Sequence, residues 1–321
     1  MAFSTILQLQ IDSICLKGGV QFAKDMKFLS IVIWALPLFS LLAGCGAGGQ
    51  KDREIRGKVS KVYTDEAKIE LLTSKGIWGG EEKTVYQVTG GDVAWLKLGR
   101  EIRGIATKEK EMLKLQQIFP AANKEESRMY VRNQELRSDT VDRGKQAFRE
   151  VGESLPTFAL FDQDGQIWDN ESFEGKHTIF TFVFTRCRAP EMCPATTMRM
   201  GKMLSEIKKS GLSDAQLISI TLDPDYDTPG ILKSYAGGFG VDDPQYRFLT
   251  GPLQAVHDLK KQLGIITRPD PDMLIHHSMS TALVGPDLKI IYRVPGSKWD
   301  VSDFLDKMRI KSQASSTPPS Q

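Results

Sequence analysis

Apolar and polar positions fall into three textures along the chain. From 54 to 120, short runs with partial alternation (IRGKVSKVY, AKIELLT, KTVYQV, REIRGIAT) are separated by Gly and Asp clusters. Alternation places successive side chains on opposite faces of a strand, so this segment predicts a small all-β barrel or sandwich. Residues 121–152 are polar and highly charged, with no Gly or Pro before Gly144. That stretch predicts a solvated helix or linker.

From 153 to 311 the pattern changes again. LPTFALFDQDGQIW reads as strand, turn, strand. TIFTFVFT, after His177, is a continuous apolar run, as expected of a strand buried on both faces. A helix follows from about Pro194 to Lys209, with Met198, Met203, Leu204 and Ile207 on one face. Then come a second buried strand (AQLISITLD), a helix ended by glycines (DTPGILKSYAGGF), a strand (YRFLTG) and a helix (LQAVHDLKKQLGI). A hairpin (STALVGPDLKIIYRV) and a last helix (WDVSDFLDKMRI) close the order. Strands alternating with helices, then a hairpin and a closing helix, predict an α/β domain of thioredoxin-like fold, a mixed central sheet flanked by helices. The tail 312–321 (SQASSTPPSQ) is expected to be disordered by composition.

The N-terminus reads as an address. Phe28 to Ala43 is an apolar run preceded by Lys27. It is shorter than the roughly 20 residues of a membrane span and suits the apolar region of a signal peptide. Met26-Lys27 is a more natural start for such a signal than Met1, and with that start Cys15 falls outside the protein. The run ends in Leu42-Ala43-Gly44-Cys45, which resembles a bacterial lipobox. The resemblance implies lipidation at Cys45, a targeting segment over 1–44 and a Gly-rich tether over 45–53. An uncleaved helical anchor is the alternative; either way the body is expected outside the cytoplasm, held at a membrane.

Charge excludes one class of partner. With 42 basic and 40 acidic residues the formal net charge is +2, which gives no electrostatic case for nucleic acid. The cysteines narrow the chemistry further. Of four, Cys15 and Cys45 lie in or beside the targeting region, so the folded body keeps only Cys187 and Cys193. Two close thiols point to redox chemistry, soft-metal binding or both, not to a disulfide scaffold.

Those thiols sit in FVFTRCRAPEMCPATT, residues 182–197. Cys187 ends a buried strand, and Cys193 precedes a helix whose Pro194 suits the first helical position. The positive helix end is expected to favour thiolate at Cys193. Thiolate suits Cu(I) and imidazole suits Cu(II) as well, so a Cys2His set can hold copper in either state. Candidate imidazoles stand in Ile275-His276-His277-Ser278, about 84 positions on, where a thioredoxin-like sheet brings the chain back beside the cysteine corner. Adjacent residues on an extended segment point oppositely, so one of His276 and His277 is expected to face the sulfurs. His177 and His257 are read as structural, Met192 as loop packing, and Trp78 and Trp95 as packing residues of the β segment. Asp223 either orients neighbours at the site or forms the turn.

The ordered motifs resemble the Sco/SenC family. They are Phe184-Thr185-Arg186-Cys187, Cys193-Pro194, Asp223-Pro224-Asp225-Tyr226-Asp227-Thr228-Pro229, His277-Ser278 and Leu283-Val284-Gly285-Pro286-Asp287, spread over about 155–310. The resemblance implies copper bound by Cys187, Cys193 and His277. It implies delivery to the dinuclear centre of cytochrome c oxidase subunit II or another exported copper protein, or reduction of that centre's cysteines. The family's C-x3-C spacing is C-x5-C here. Some Sco relatives carry a copper-binding barrel of the CusF type before this domain, built on His, Met and Trp; residues 54–120 contain no His.

Two other functions remain open. A Cys187/Cys193 thiol–disulfide oxidoreductase uses the same thiols and needs no histidine. A peroxiredoxin-type peroxidase lacks its T-x-x-C nucleophile pattern here, and a plain structural disulfide is a fourth reading of the pair.

Overall fold

The computed structural model describes residues 53–74, 80–121, 123–271 and 274–315. The expectations on the targeting segment, on Cys15, Cys45 and Trp78, and on the last six residues of the tail lie outside these. Among the described residues no helix is long and apolar enough to cross a membrane.

Strands β1 (Arg53–Tyr63), β2 (Lys68–Ser74) and β3 (Glu81–Gln87), a short helix α1 (Gly90–Trp95), and strands β4 (Glu101–Glu109) and β5 (Met112–Pro120) form a closed barrel in the order β1-β2-β3-β5-β4. Closure leaves no free sheet edge. Every second residue along β2 points inward, Ile69 and Leu71 being buried between partly exposed neighbours. They meet Val59, Tyr86, Ile102, Leu115 and Trp95 in one core. Trp95 is thus a packing residue, with the Arg100 guanidinium over its ring at 4.0 Å. Alternation alone did not reveal α1. It begins at Thr89, whose hydroxyl accepts the Asp92 amide as an N-cap does.

The helix expected in the polar stretch is present as α2 (Asn123–Arg143). Most of it faces solvent, but Met129, Leu136 and Thr140 are buried. Arg137 pairs with Asp258 at 3.0 Å, and just beyond the helix Arg149 reaches back to Asp139 at 2.6 Å and to Gln262 at 2.5 Å. The helix is therefore docked on the body. Its apolar stripe is only one residue wide, too narrow to stand out among so many charges.

The body is a seven-stranded mixed sheet with the order β14-β13-β8-β9-β10-β6-β7, thioredoxin-like in its helix-flanked arrangement. Its elements in chain order are β6 (Ala159–Asp162), β7 (Ile167–Asp169), β8 (His177–Val183), α3 (Cys193–Ser210), β9 (Ala215–Thr221), α4 (Pro229–Gly238), β10 (Tyr246–Thr250), α5 (Leu253–Gln262), β11 (Thr267–Asp270), β12 (Leu274–His277), β13 (Ser280–Val284), β14 (Ile290–Pro295) and α6 (Val301–Ser315). All seven residues of β8 and all seven of β9 are buried, and β8, β9 and β10 run parallel. Helices on the sheet explain why these strands read as continuous apolar runs. Helix α6 continues to Ser315, so residues 312–315, expected in a disordered tail, are helical. SQAS contains no breaker, and the first proline comes only at 318.

The β8–α3 loop and the β9–α4 loop leave the same edge of the sheet side by side, because β8 and β9 are adjacent and parallel. Strand β13 pairs antiparallel with β8, so the chain before β13 reaches that edge too. That chain forms a small hairpin, β11 with β12, which the apolar pattern did not announce. Its strands are four residues long, and Pro269 lies in one of them.

Candidate metal centre

Three loops meet at this edge. The first leaves β8 at Val183, and Phe184 is buried under it. A turn follows, with the Cys187 amide donating to the Phe184 carbonyl at 3.2 Å. The five residues between the cysteines fold on themselves: Met192 N–H donates to the Ala189 carbonyl at 3.1 Å and Ala195 N–H to that of Pro190 at 3.1 Å. Met192 is the N-cap residue of α3, and Cys193 opens the helix with Pro194 behind it. The lengthened spacing therefore still turns both sulfurs into one pocket.

Strand β12 brings in the imidazole. His277 is buried and His276 is exposed, as the alternation of a strand requires. His277 Nε2 lies 3.4 Å from Cys193 Sγ, and its ring stands edge-on to Phe184 with centroids 5.7 Å apart. Nδ1 lies 2.9 Å from the Ser278 carbonyl oxygen. A carbonyl can only accept, so Nδ1 carries a proton, and Nε2 is the ring nitrogen turned toward the sulfurs. Fixing one ring nitrogen in this way is how proteins orient a ligating histidine. The two Sγ atoms and the imidazole nitrogen lie within 4.8 Å of one another, and no other such group of Cys, His, Asp or Glu occurs among the described residues. Both thiols are free. Two soft sulfurs and one borderline nitrogen, converging in a half-buried pocket, fit copper better than a hard cation such as Ca²⁺ or Mg²⁺.

The thiols divide one proton unequally. A hydrogen bond from Cys193, outweighing partial burial, lowers the Cys187 pKa to about 4. The same bond, with burial behind it, raises that of Cys193. The sequence placed the thiolate on Cys193, at the helix end; the structure places it on Cys187. Cys193 is wholly buried and Cys187 only partly, and the charge settles on the better-solvated sulfur.

The β9–α4 loop holds the cysteine turn in place. Asp223 pairs with Arg186, taking Nε at 2.9 Å and Nη2 at 2.6 Å. The Arg186 guanidinium also lies over the Tyr226 ring at 4.2 Å. Asp223 thus orients a neighbour of Cys187, and it also forms the turn, accepting the amides of Tyr226 and Asp227. The sequence did not single out Asp227. This buried carboxylate accepts the Thr185 amide at 3.1 Å, the Thr185 hydroxyl, and the Thr221 hydroxyl at 2.5 Å. Burial raises its pKa to about 6. Tyr235, also unremarked in the sequence, donates to or accepts from Thr197 at 3.0 Å, and burial raises the pKa of its phenol. The D-P-x-x-D-T-P string was the available signal for Asp227. His177 is buried, 3.0 Å from Asp214, and His257 stands exposed on α5. Neither joins the group.

Comparison with known proteins follows the same residues. The family model described as SCO1/SenC matches residues 147–311. A Stutzerimonas stutzeri protein named as copper-binding is 33% identical over 138 residues, 42% of this chain and 65% of that one. The chain thus spans just under two thirds of that relative's length. The SCO1 protein homolog of Bacillus subtilis (strain 168) is 30% identical over 151 residues, 46% of this chain and 77% of the relative. A solved SCO1/SenC family lipoprotein from Bacillus anthracis is similar at 27% identity and a TM-score of 0.46, covering 51% of this chain and 99% of that one.

Proposed function

The chain belongs to the SCO1/SenC family, and we propose that it is a copper carrier: an extracytoplasmic protein that holds copper between Cys187, Cys193 and His277 and passes it to cytochrome c oxidase subunit II or another exported copper protein. The observation that carries this reading is the convergence of two sulfurs and a pre-oriented imidazole within 4.8 Å. The thiolate pair suits Cu(I), and the added imidazole suits Cu(II). The copper-binding name of the Stutzerimonas stutzeri relative supports the same metal. In this reading Cys45 is the lipidated residue that holds the protein at the membrane, and the carrier works beside its client.

A second reading is favoured by one observation, the low pKa of Cys187 beside a protonated Cys193. The pair is arranged as an attacking thiolate and a resolving thiol. Cys187 sulfur would attack a client disulfide and release one client thiolate. Cys193 would then displace the second, leaving Cys187–Cys193 oxidised and the client dithiol reduced. Copper-loaded protein mixed with a copper-free soluble domain of oxidase subunit II separates the two. Stoichiometric transfer of copper to reduced client supports the carrier. No transfer, with reduction of an oxidised client by the copper-free protein, supports the reductase.

A further inference from the structure

The loop from Asp223 to Thr228 has two faces. Asp223 and Asp227 reach toward the cysteine turn, holding Arg186 and Thr185. The other face belongs to the barrel. Thr228 donates its hydroxyl to Asp92 Oδ1 in α1, and Asp225 Oδ1 accepts from Gln117 Nε2 of β5 at 3.4 Å. Residues 223, 225, 227 and 228 thus alternate between the site and the barrel.

The contact at Asp92 is tight and buried. Asp92 is 1% exposed, and its second oxygen accepts the Thr89 hydroxyl at 2.7 Å. The backbones of α1 and α4 approach so closely that a Cβ would be crowded at Gly91 and would clash at Gly230. A Cβ on Gly91 would lie 3.0 Å from the Gly230 carbonyl oxygen, and one on Gly230 would lie 2.8 Å from Asp92 Cα. The hydroxyl that Asp92 holds is also the N-cap of α4, accepting the Ile231 amide at 3.2 Å. Asp227 is the next residue back along the chain.

We infer that the barrel is a positioning element for the copper-binding corner, with Asp92 fixing Thr228 so that the neighbouring Asp227 holds the Thr185 amide and thereby the turn that carries Cys187. This rests on the copper-carrier reading of the corner. Loss of Asp92 would leave a buried hydroxyl without its acceptor and loosen the start of α4. A ligand set works only if held within about 0.5 Å, so slack two residues before Cys187 reaches the metal.

The test uses the full chain, reduced and anaerobic, as wild type, Asp92→Ala and Asp92→Asn. The asparagine keeps an Oδ1 that can accept the Thr228 hydroxyl. Amide hydrogen exchange over residues 184–188 is read without metal, and Cu(II) affinity is read by titration. In Asp92→Ala, exchange over 184–188 is expected to rise about tenfold while β8 and β9 stay protected, as for loss of one hydrogen bond's restraint. Cu(II) affinity is expected to fall about tenfold, the lower end for a supporting residue. Asp92→Asn is expected to restore both. Unchanged exchange over 184–188 in a folded Asp92→Ala protein overturns the inference. If that variant does not fold, Gly91→Ala, which wedges the same contact, is read by the same two results. If the wild type itself takes up no copper, the carrier reading fails, and the exchange measurement still decides whether the barrel holds the corner.

Discussion

Cys193 Sγ and His277 Nε2 stand 3.4 Å apart although 84 residues separate them in the chain. The link is topological: β13 runs antiparallel on β8, so the hairpin ahead of β13 arrives where β8 ends. His277→Ala is therefore expected to weaken Cu(II) by about a hundredfold or more, since losing a ligand should exceed the 10–100-fold typical of losing its support. Cu(I), which two thiolates can hold, is expected to be retained. Competition titrations in both oxidation states check this; equal losses for both contradict it.

The unequal division of the thiol proton is open to chemical modification. The hydrogen bond from Cys193 lowers the Cys187 pKa, and the same bond with burial raises that of Cys193, so Cys187 ionises first as pH rises. Iodoacetamide at pH 6 is expected to label Cys187 in preference to Cys193 in the reduced, copper-free protein, as read by peptide mass spectrometry of the two cysteine-bearing peptides. Cys193→Ala removes the hydrogen-bond donor and is expected to make labelling of Cys187 at pH 6 slower. Equal labelling of both cysteines in the unmodified protein contradicts the assignment.

Asp227 predicts a pH dependence of stability. Its carboxyl is raised to about 6 in the folded protein, against about 4 unfolded, because burial disfavours its charge. The folded state therefore binds this proton more tightly. The contribution to stability is full below about pH 4, falls as pH rises toward 6, and is flat above. Its size is at most about 3 kcal/mol, from two pKa units. Asp227→Asn is expected to remove this slope, so that the difference from wild type in urea unfolding changes between pH 4 and 6 and not between 7 and 8. A constant difference across the range contradicts it.

Helix α2 is part of the body, and Leu136 is fully buried on it. Leu136→Ala is expected to cost about 2–4 kcal/mol in urea unfolding. A solvated linker would give a change within about 0.5 kcal/mol.

Much of this was legible in the sequence, for definite reasons. The seven buried residues of β8 and of β9 read as unbroken apolar runs, and Cys193-Pro194 marked the start of α3. Alternation picked out a pair of histidines with one facing in, and the structure buries His277. What the sequence did not disclose depends on tertiary contact. The docking of α2 rests on single buried residues and on ion pairs to distant partners such as Asp258. The Cys187 thiol is the more acidic because Cys193, the more deeply buried of the two, donates a hydrogen bond to it, and the two thiols look alike in the sequence. Asp227 matters through Thr185, 42 residues away, and no spacing rule connects them.

Anaerobic titration of the reduced full chain with Cu(I), and separately with Cu(II), decides whether Cys187, Cys193 and His277 bind copper. One equivalent of either ion is expected to bind, with a thiolate-to-Cu(II) charge-transfer band that disappears in Cys187→Ser and Cys193→Ser. Absence of both the band and stoichiometric Cu(I) uptake would contradict copper binding there.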